Sequence, residues 1–201
     1  MVDEPLSAVE ILTAATLGLG LAAAVGFRIF VPLLLVSLAA HFGKIALAAD
    51  FQWLASTPAL VMFGVAALLE AGAYLVPWVD HALDAVAGPA AVVAGTLLMA
   101  STLIEMESWL RWTIALVAGG GTAGLLHGTL AGLRLGSSAT TGGLANPAFA
   151  TFETTAATAL TLLAIAIPMA ACCIAVFLLA RAIRGSRRFW RRVRRTEGES
   201  N

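Results

Sequence analysis

Six polar side chains stand where an apolar chain gives them poor company: Arg28, Glu70, His127, Arg134, Asn146 and Glu153. Arg28 interrupts an apolar run over 8–42, and Glu70 lies inside another over 58–77. An arginine at the centre of a bilayer costs about 2.5–3.5 kcal/mol on insertion scales. It must pair, line water or sit near an interface. Glu70 meets the same penalty unless it is protonated or lies beside a cation such as Arg28 or Arg134. His127 and Arg134 are seven residues apart, so on a helix they share a face. Two chemistries fit these residues: structural ion pairs inside the membrane, or a pathway for an ion, proton or solute. For His127 a hydrogen-bonded buried imidazole and a proton relay both remain open.

Weaker groupings surround these six. Asp80 and Asp84 are one helical turn apart in PWVDHALD, with His81 between them. They form either an interfacial acidic pair for a cation or headgroup, or the wet face of a short surface helix. The segment SSATTGGLANP offers hydroxyls, an amide and flexible backbone. It reads as a connecting loop or as irregular backbone that presents carbonyls to an ion. No catalytic centre is expected: Ser137 and Ser138 lack a Gly-x-Ser-x-Gly elbow. No metal and no cofactor is expected either. His41, His81 and His127 are dispersed, and Cys172 and Cys173 are adjacent in an apolar run, where they read as buried small hydrophobes.

The elements that must position these groups are membrane helices. The 201 residues are 60% hydrophobic and 12% charged, far from a soluble domain's surface. No run alternates polarity as a barrel strand would. The fold class is therefore all-α, a polytopic transmembrane helix bundle with five or six membrane segments, or four if 88–103 only dips into the bilayer. The apolar runs are 8–42, 58–77, 88–103, 109–135 and 148–183. The first and last are too long for a core of about 30 Å. Gly26 or Pro32 would break the first, and Pro168 the last. Glycines at 120, 124, 128, 132 and 136 make a stripe without side chains on 109–135. In soluble helices each glycine costs about 1 kcal/mol against alanine; in a membrane Gly120, Gly124, Gly128 and Gly132 would let another helix pack closely. This places 109–135 at the centre of the bundle.

The domain organisation is one transmembrane domain over 1–184, followed by a basic cytoplasmic tail over 185–201. Repeats over 8–103 and 109–184 are suggested by Thr57-Pro58 and Asn146-Pro147, and by Pro77 and Pro168. With three crossings each, the halves would be inverted, with broken helices, as in many transporters. Eight of the twelve basic residues lie at or beyond Arg181, which puts the C-terminus in the cytoplasm. The Arg-rich tail is a topology determinant, a partner for anionic lipid, or both. Nucleic acid is not an expected partner, because the tail adjoins a membrane span. A homo-oligomer is a further use of the stripe. Asp3, Glu4 and Glu10 do not make the basic leader of a secretory signal, so the first apolar segment is expected to stay.

Several stretches together resemble the family called domain of unknown function 4126, membrane proteins of bacteria and plastids. They are GFRIFVPLLLVSLAAHFG, LLEAGAYLVPWVDHALDAVAGPAAVVAGTLL, LVAGGGTAGLLHGTLAGLRLGSSATTGGLANPAFATFE and the region of Pro168, over 20–170. The chain departs from many members at Ala73, Tyr74 and Leu75, where they resemble Ala-Asp-Lys. It also has Thr154 after Glu153, where many carry Asp. The resemblance implies a multi-pass inner-membrane protein of a bacterium and supplies no activity. The residues themselves favour a small channel or transporter for an ion, small solute or lipid headgroup. The alternative is a non-transporting scaffold that packs on partner membrane proteins through its glycines; a membrane-embedded enzyme comes third.

Overall fold

A computed structural model describes the backbone of residues 7–72, 77–104, 106–142 and 144–198, and the side chains of these except 77–85 and 186–198. Helix α1 (Ala8–Phe27) starts at a capping box: the Ser7 hydroxyl accepts from the Glu10 N–H, and the Glu10 carboxylate accepts from the Ser7 N–H at 2.8 Å. Its 20 residues reach about 30 Å, one hydrocarbon thickness. Leu21, Ala22, Ala23, Ala24 and Val25 have no exposed surface. Helix α1 packs on α4 (Pro77–Thr102), α6 (Gly121–Thr141), α7 (Asn146–Ala166) and α8 (Pro168–Gly198). The centre of the bundle is therefore α1 and not 109–135. Small residues explain this: Gly18 lies against Met99 and Thr102, Gly20 against Ala164 and Ala171, and Gly26 against Leu126.

The two long runs are each broken once. The first breaks at Arg28, whose backbone is extended (φ −145°, ψ 135°), before α2 (Phe30–His41). Neither Gly26 nor Pro32 makes this break. Gly26 is packed inside α1, and Pro32 sits in the first turn of α2, where its missing N–H has no helical partner to lose. The second break is at Ile167, directly before Pro168, where the proline disfavours helical backbone in its predecessor. Ala164 and Ala171, on either side of that break, both close on Gly20, so α7 and α8 form a hairpin against α1.

A 3₁₀ segment (Ala49–Ala55) precedes α3 (Thr57–Gly72), and the two meet at a 64° bend. Helix α5 (Ser108–Ile114), a π-helical turn (Ala115–Gly120) and α6 run on as one 34-residue rod. Four helices among the described residues are long and apolar enough to cross a membrane: α1, 108–141, α7 and 168–185. The bent pair of 3₁₀ segment and α3 makes a fifth, while α2 and 86–102 are shorter apolar helices. Large apolar side chains such as Val61, Leu68, Val117, Phe152 and Phe177 are exposed, as on a lipid-facing surface. This is a polytopic helical membrane protein.

Three expectations are corrected. The glycine stripe packs only at its start. Gly120 lies against Thr96 and Val92, and Gly124 against Val92, while Gly128, Gly132 and Gly136 have open space above them. The closest crossing is instead Gly119 on Gly95. Second, most of 136–147 is helix. Thr140 and Thr141 donate their hydroxyls to the carbonyl of Ser137, so the hydroxyls are satisfied within the helix, which ends at Gly142 with φ +62°. Third, Cys173 is exposed and Cys172 half-buried, both as free thiols, because the buried stripe of α8 is Ala171, Ala175 and Ala182.

One end of the bundle carries an aromatic and ionic collar. Arg111 donates to the Asp50 carboxylate and lies 5.7 Å from the Phe51 ring centroid, which also meets Trp112. Trp53 and Trp109 are exposed nearby in sequence, as at a headgroup boundary. Arg111 is buried and the Asp50 side chain is mostly exposed. Asp50→Ala is therefore expected to cost less than about 1 kcal/mol. Arg111→Ala, which also strips cover from Phe51, should lower the melting temperature in detergent more than Asp50→Ala does.

Candidate functional site

Four of the six singled-out residues converge. Arg28 stands at the α1–α2 break, Glu70 in the last turn of α3, Arg134 on α6 and Glu153 on α7. Arg134 Nη2 donates to both oxygens of Glu153, at 3.1 and 3.3 Å. Arg28 Nε lies 3.9 Å from Oε2 of the same carboxylate. Glu153 is wholly buried, and Arg28 and Arg134 are 3% and 6% exposed.

The break and the charges explain each other. A helix that stops leaves N–H groups without partners at the next start and C=O groups without partners at its end. In hydrocarbon each of these needs an internal partner. Glu70 Oε1 accepts from the Ile29 N–H at 2.9 Å, and Oε2 from the Phe30 N–H at 3.0 Å. One carboxylate thus caps the start of α2, where the helix dipole also favours negative charge. Arg28 adds further ties: Nη1 donates to the Glu70 carbonyl at 3.2 Å, and Nη2 to the Ala150 carbonyl at 3.2 Å. Arg28 therefore ties α3 and α7 to the α1–α2 corner.

The apolar setting is written in the neighbouring residues. Leu68 and Leu69 precede Glu70, Leu133 and Leu135 flank Arg134, and Phe152 precedes Glu153; all five are exposed. These helices turn hydrocarbon outward and charge inward, the reverse of a soluble bundle. Two positive and two negative side chains then balance inside.

The remaining candidates fall elsewhere. His127 is buried on α6, and its backbone lies beside Gly26 of α1. Asn146 begins α7 and accepts from the Ser138 hydroxyl at 2.9 Å, apart from the charge cluster. The side chains of Asp80, His81 and Asp84 lie outside the described residues. Sequence reading missed the Asp50–Arg111 pair, whose partners are 61 positions apart. The only signal was that Arg111 is one of four basic residues before Arg181. It also missed the role of Ala150, since a backbone carbonyl leaves no mark on residue type.

A family model described as "Domain of unknown function (DUF4126)" matches residues 15–188. No curated protein and no solved structure matches the chain.

Proposed function

Since the chain belongs to the domain of unknown function 4126 family, whose description assigns no activity, we propose from the site's own geometry that it is a small channel or transporter for an ion, small solute or lipid headgroup. The observation that carries this reading is the convergence of Arg28, Glu70, Arg134 and Glu153 at a helix break within an apolar girdle. Broken helices with exchangeable polar partners are how transporters place solutes inside a bilayer. Arg28 stands between two acidic residues: it bonds the backbone carbonyl of Glu70 and lies 3.9 Å from the Glu153 carboxylate. Each proposed half, 8–103 and 109–184, contributes one Arg and one Glu, in keeping with an inverted repeat.

Phe27 and Leu178 share an apolar crevice between α1, α7 and α8. Because Phe27 adjoins Arg28, this supports a cluster toward the end of α8 that carries Arg181 and Arg184. With the basic tail in the cytoplasm of a bacterial inner membrane, the cluster is the inner gate of the pathway. The tail is then held by anionic lipid.

The test is flux in liposomes. Wild-type protein in pyranine-loaded liposomes, under imposed proton and potassium gradients and with a panel of small solutes, should conduct above protein-free controls. Glu153→Gln should lower that flux at least tenfold in material that remains folded. Flux equal to the controls, or unchanged by Glu153→Gln, removes the proposal. A second reading, a scaffold, draws on the open face at Gly128, Gly132 and Gly136; a silent flux assay with a stable complex would favour it.

A further inference from the structure

Helix α3 buries little of itself against the bundle. Only Ala59 and Phe63 among its described side chains are buried. Its main neighbours are α2 and the 3₁₀ segment. A Cβ added at Gly64 would find its nearest neighbour, Leu34 Cδ1, at 3.9 Å, an ordinary loose contact. At the Gly95–Gly119 crossing the corresponding distance to backbone oxygen is under 3 Å. The bundle is tight at its centre and slack at α3.

The two ends of α3 differ. Its start is moored: Phe51 and Leu54 of the 3₁₀ segment are buried, the Ala48 N–H donates to Ser101 at 2.9 Å, and Asp50 pairs with Arg111. Between mooring and helix lies the 64° bend at Ser56, whose backbone is extended. The far end is held by polar contacts: the Glu70 carboxylate on Ile29 and Phe30, and Arg28 on the Glu70 carbonyl. A hinge at Ser56 and a latch at Glu70 stand about 20 Å apart along the helix. Val61, Met62, Val65, Leu68 and Leu69 are exposed, so the outer face of α3 meets lipid.

We infer that α3 is a lateral gate, hinged at Ser56 and latched by Glu70, that opens the Arg28 corner to the bilayer. Unlatching moves Glu70 away from the start of α2 and uncovers Arg28 from the lipid side. Resting on the transport reading above, this names the class of solute: an amphiphile that enters from the membrane, since an ion arriving from water has no need of a lateral door.

The experiment uses full-length protein with Cys172→Ala and Cys173→Ala, in lipid nanodiscs. Nitroxides at Leu69→Cys on α3 and Leu162→Cys on α7 report gate position by pulsed electron resonance; Val93→Cys with Val117→Cys is the rigid reference. Glu70→Ala should shift the α3–α7 distribution to longer distances, raising the long-distance population severalfold and leaving the reference unchanged. Should Glu70→Ala not fold, Glu70→Gln is read in the same way. An α3–α7 distribution identical with and without the latch overturns the gate. In sealed liposomes, transbilayer movement of NBD-phosphatidylglycerol, read by dithionite quenching, should quicken at least threefold in Glu70→Ala. A mobile α3 with no flux of ion, solute or lipid keeps the gate and removes the transport reading. Ion flux with a fixed α3 does the reverse, and a mobile α3 that passes ions but no lipid overturns the amphiphile class.

Discussion

Replacing Glu153 with alanine will destabilise the folded protein by about 3–5 kcal/mol, the range for breaking a buried ion pair from one side. The reason is what remains. Glu153 is fully buried, accepts from Arg134 with both carboxylate oxygens, and has Arg28 Nε 3.9 Å from Oε2. Its removal takes a buried anion away from two buried guanidinium groups. Glu153→Gln keeps the shape and two polar atoms, and should cost less than alanine. Arg28→Ala should be milder again for the charge balance, but it also uncaps the Glu70 carbonyl and releases Ala150. The measurement is thermal unfolding in detergent, followed by loss of the monodisperse peak. The double variant Glu153→Ala with Arg134→Ala should be less unstable than the sum of the two singles, by about 0.5–3 kcal/mol. Additive behaviour would mean that the pair contributes nothing as a pair.

This prediction also marks how far the sequence reaches. Hydropathy is a local property, so the helices, the break before Pro168 and the presence of intramembrane charge are legible from residue order alone. Which charges meet is not. Arg134 and Glu153 lie on α6 and α7, and no spacing rule joins helices that run in different directions. The first break shows the limit most clearly. Gly26 and Pro32 are the local candidates, yet the chain turns at Arg28, where Glu70, more than forty positions away, supplies the N–H partners that make a break tolerable in lipid. A break made by a remote cap leaves no signature at the break itself. The opposite error concerns 136–147. Its Ser, Thr and Gly content reads as loop, but the threonines turn their hydroxyls onto carbonyls one turn back and helix continues to Thr141.

The glycines supply the second large effect, because one substitution should change sign along one rod. At Gly119 an added Cβ would stand 2.5 Å from Met99 Cβ and 2.6 Å from the Gly95 carbonyl oxygen. A side chain can turn aside, but a backbone carbonyl of a packed helix cannot. Gly119→Ala must push α4 off the π-helical turn, at a cost of about 1–3 kcal/mol for overpacking, and Gly119→Leu should prevent assembly of the monomer. Gly132, thirteen residues on, has nothing within 4 Å. There alanine only improves helix propensity, so Gly132→Ala should stabilise by up to about 1 kcal/mol. Melting temperatures of the two alanine variants, measured side by side, should therefore fall and rise. Gly132→Leu separates the remaining roles of the stripe. If the open face is lipid-facing, leucine leaves both the monomer and its assembly state intact. If a second membrane helix covers it, the monomer stays folded while a larger species is lost from light scattering. Unfolding of the monomer by Gly132→Leu would contradict the packing described here, in which the close approach ends at Gly124.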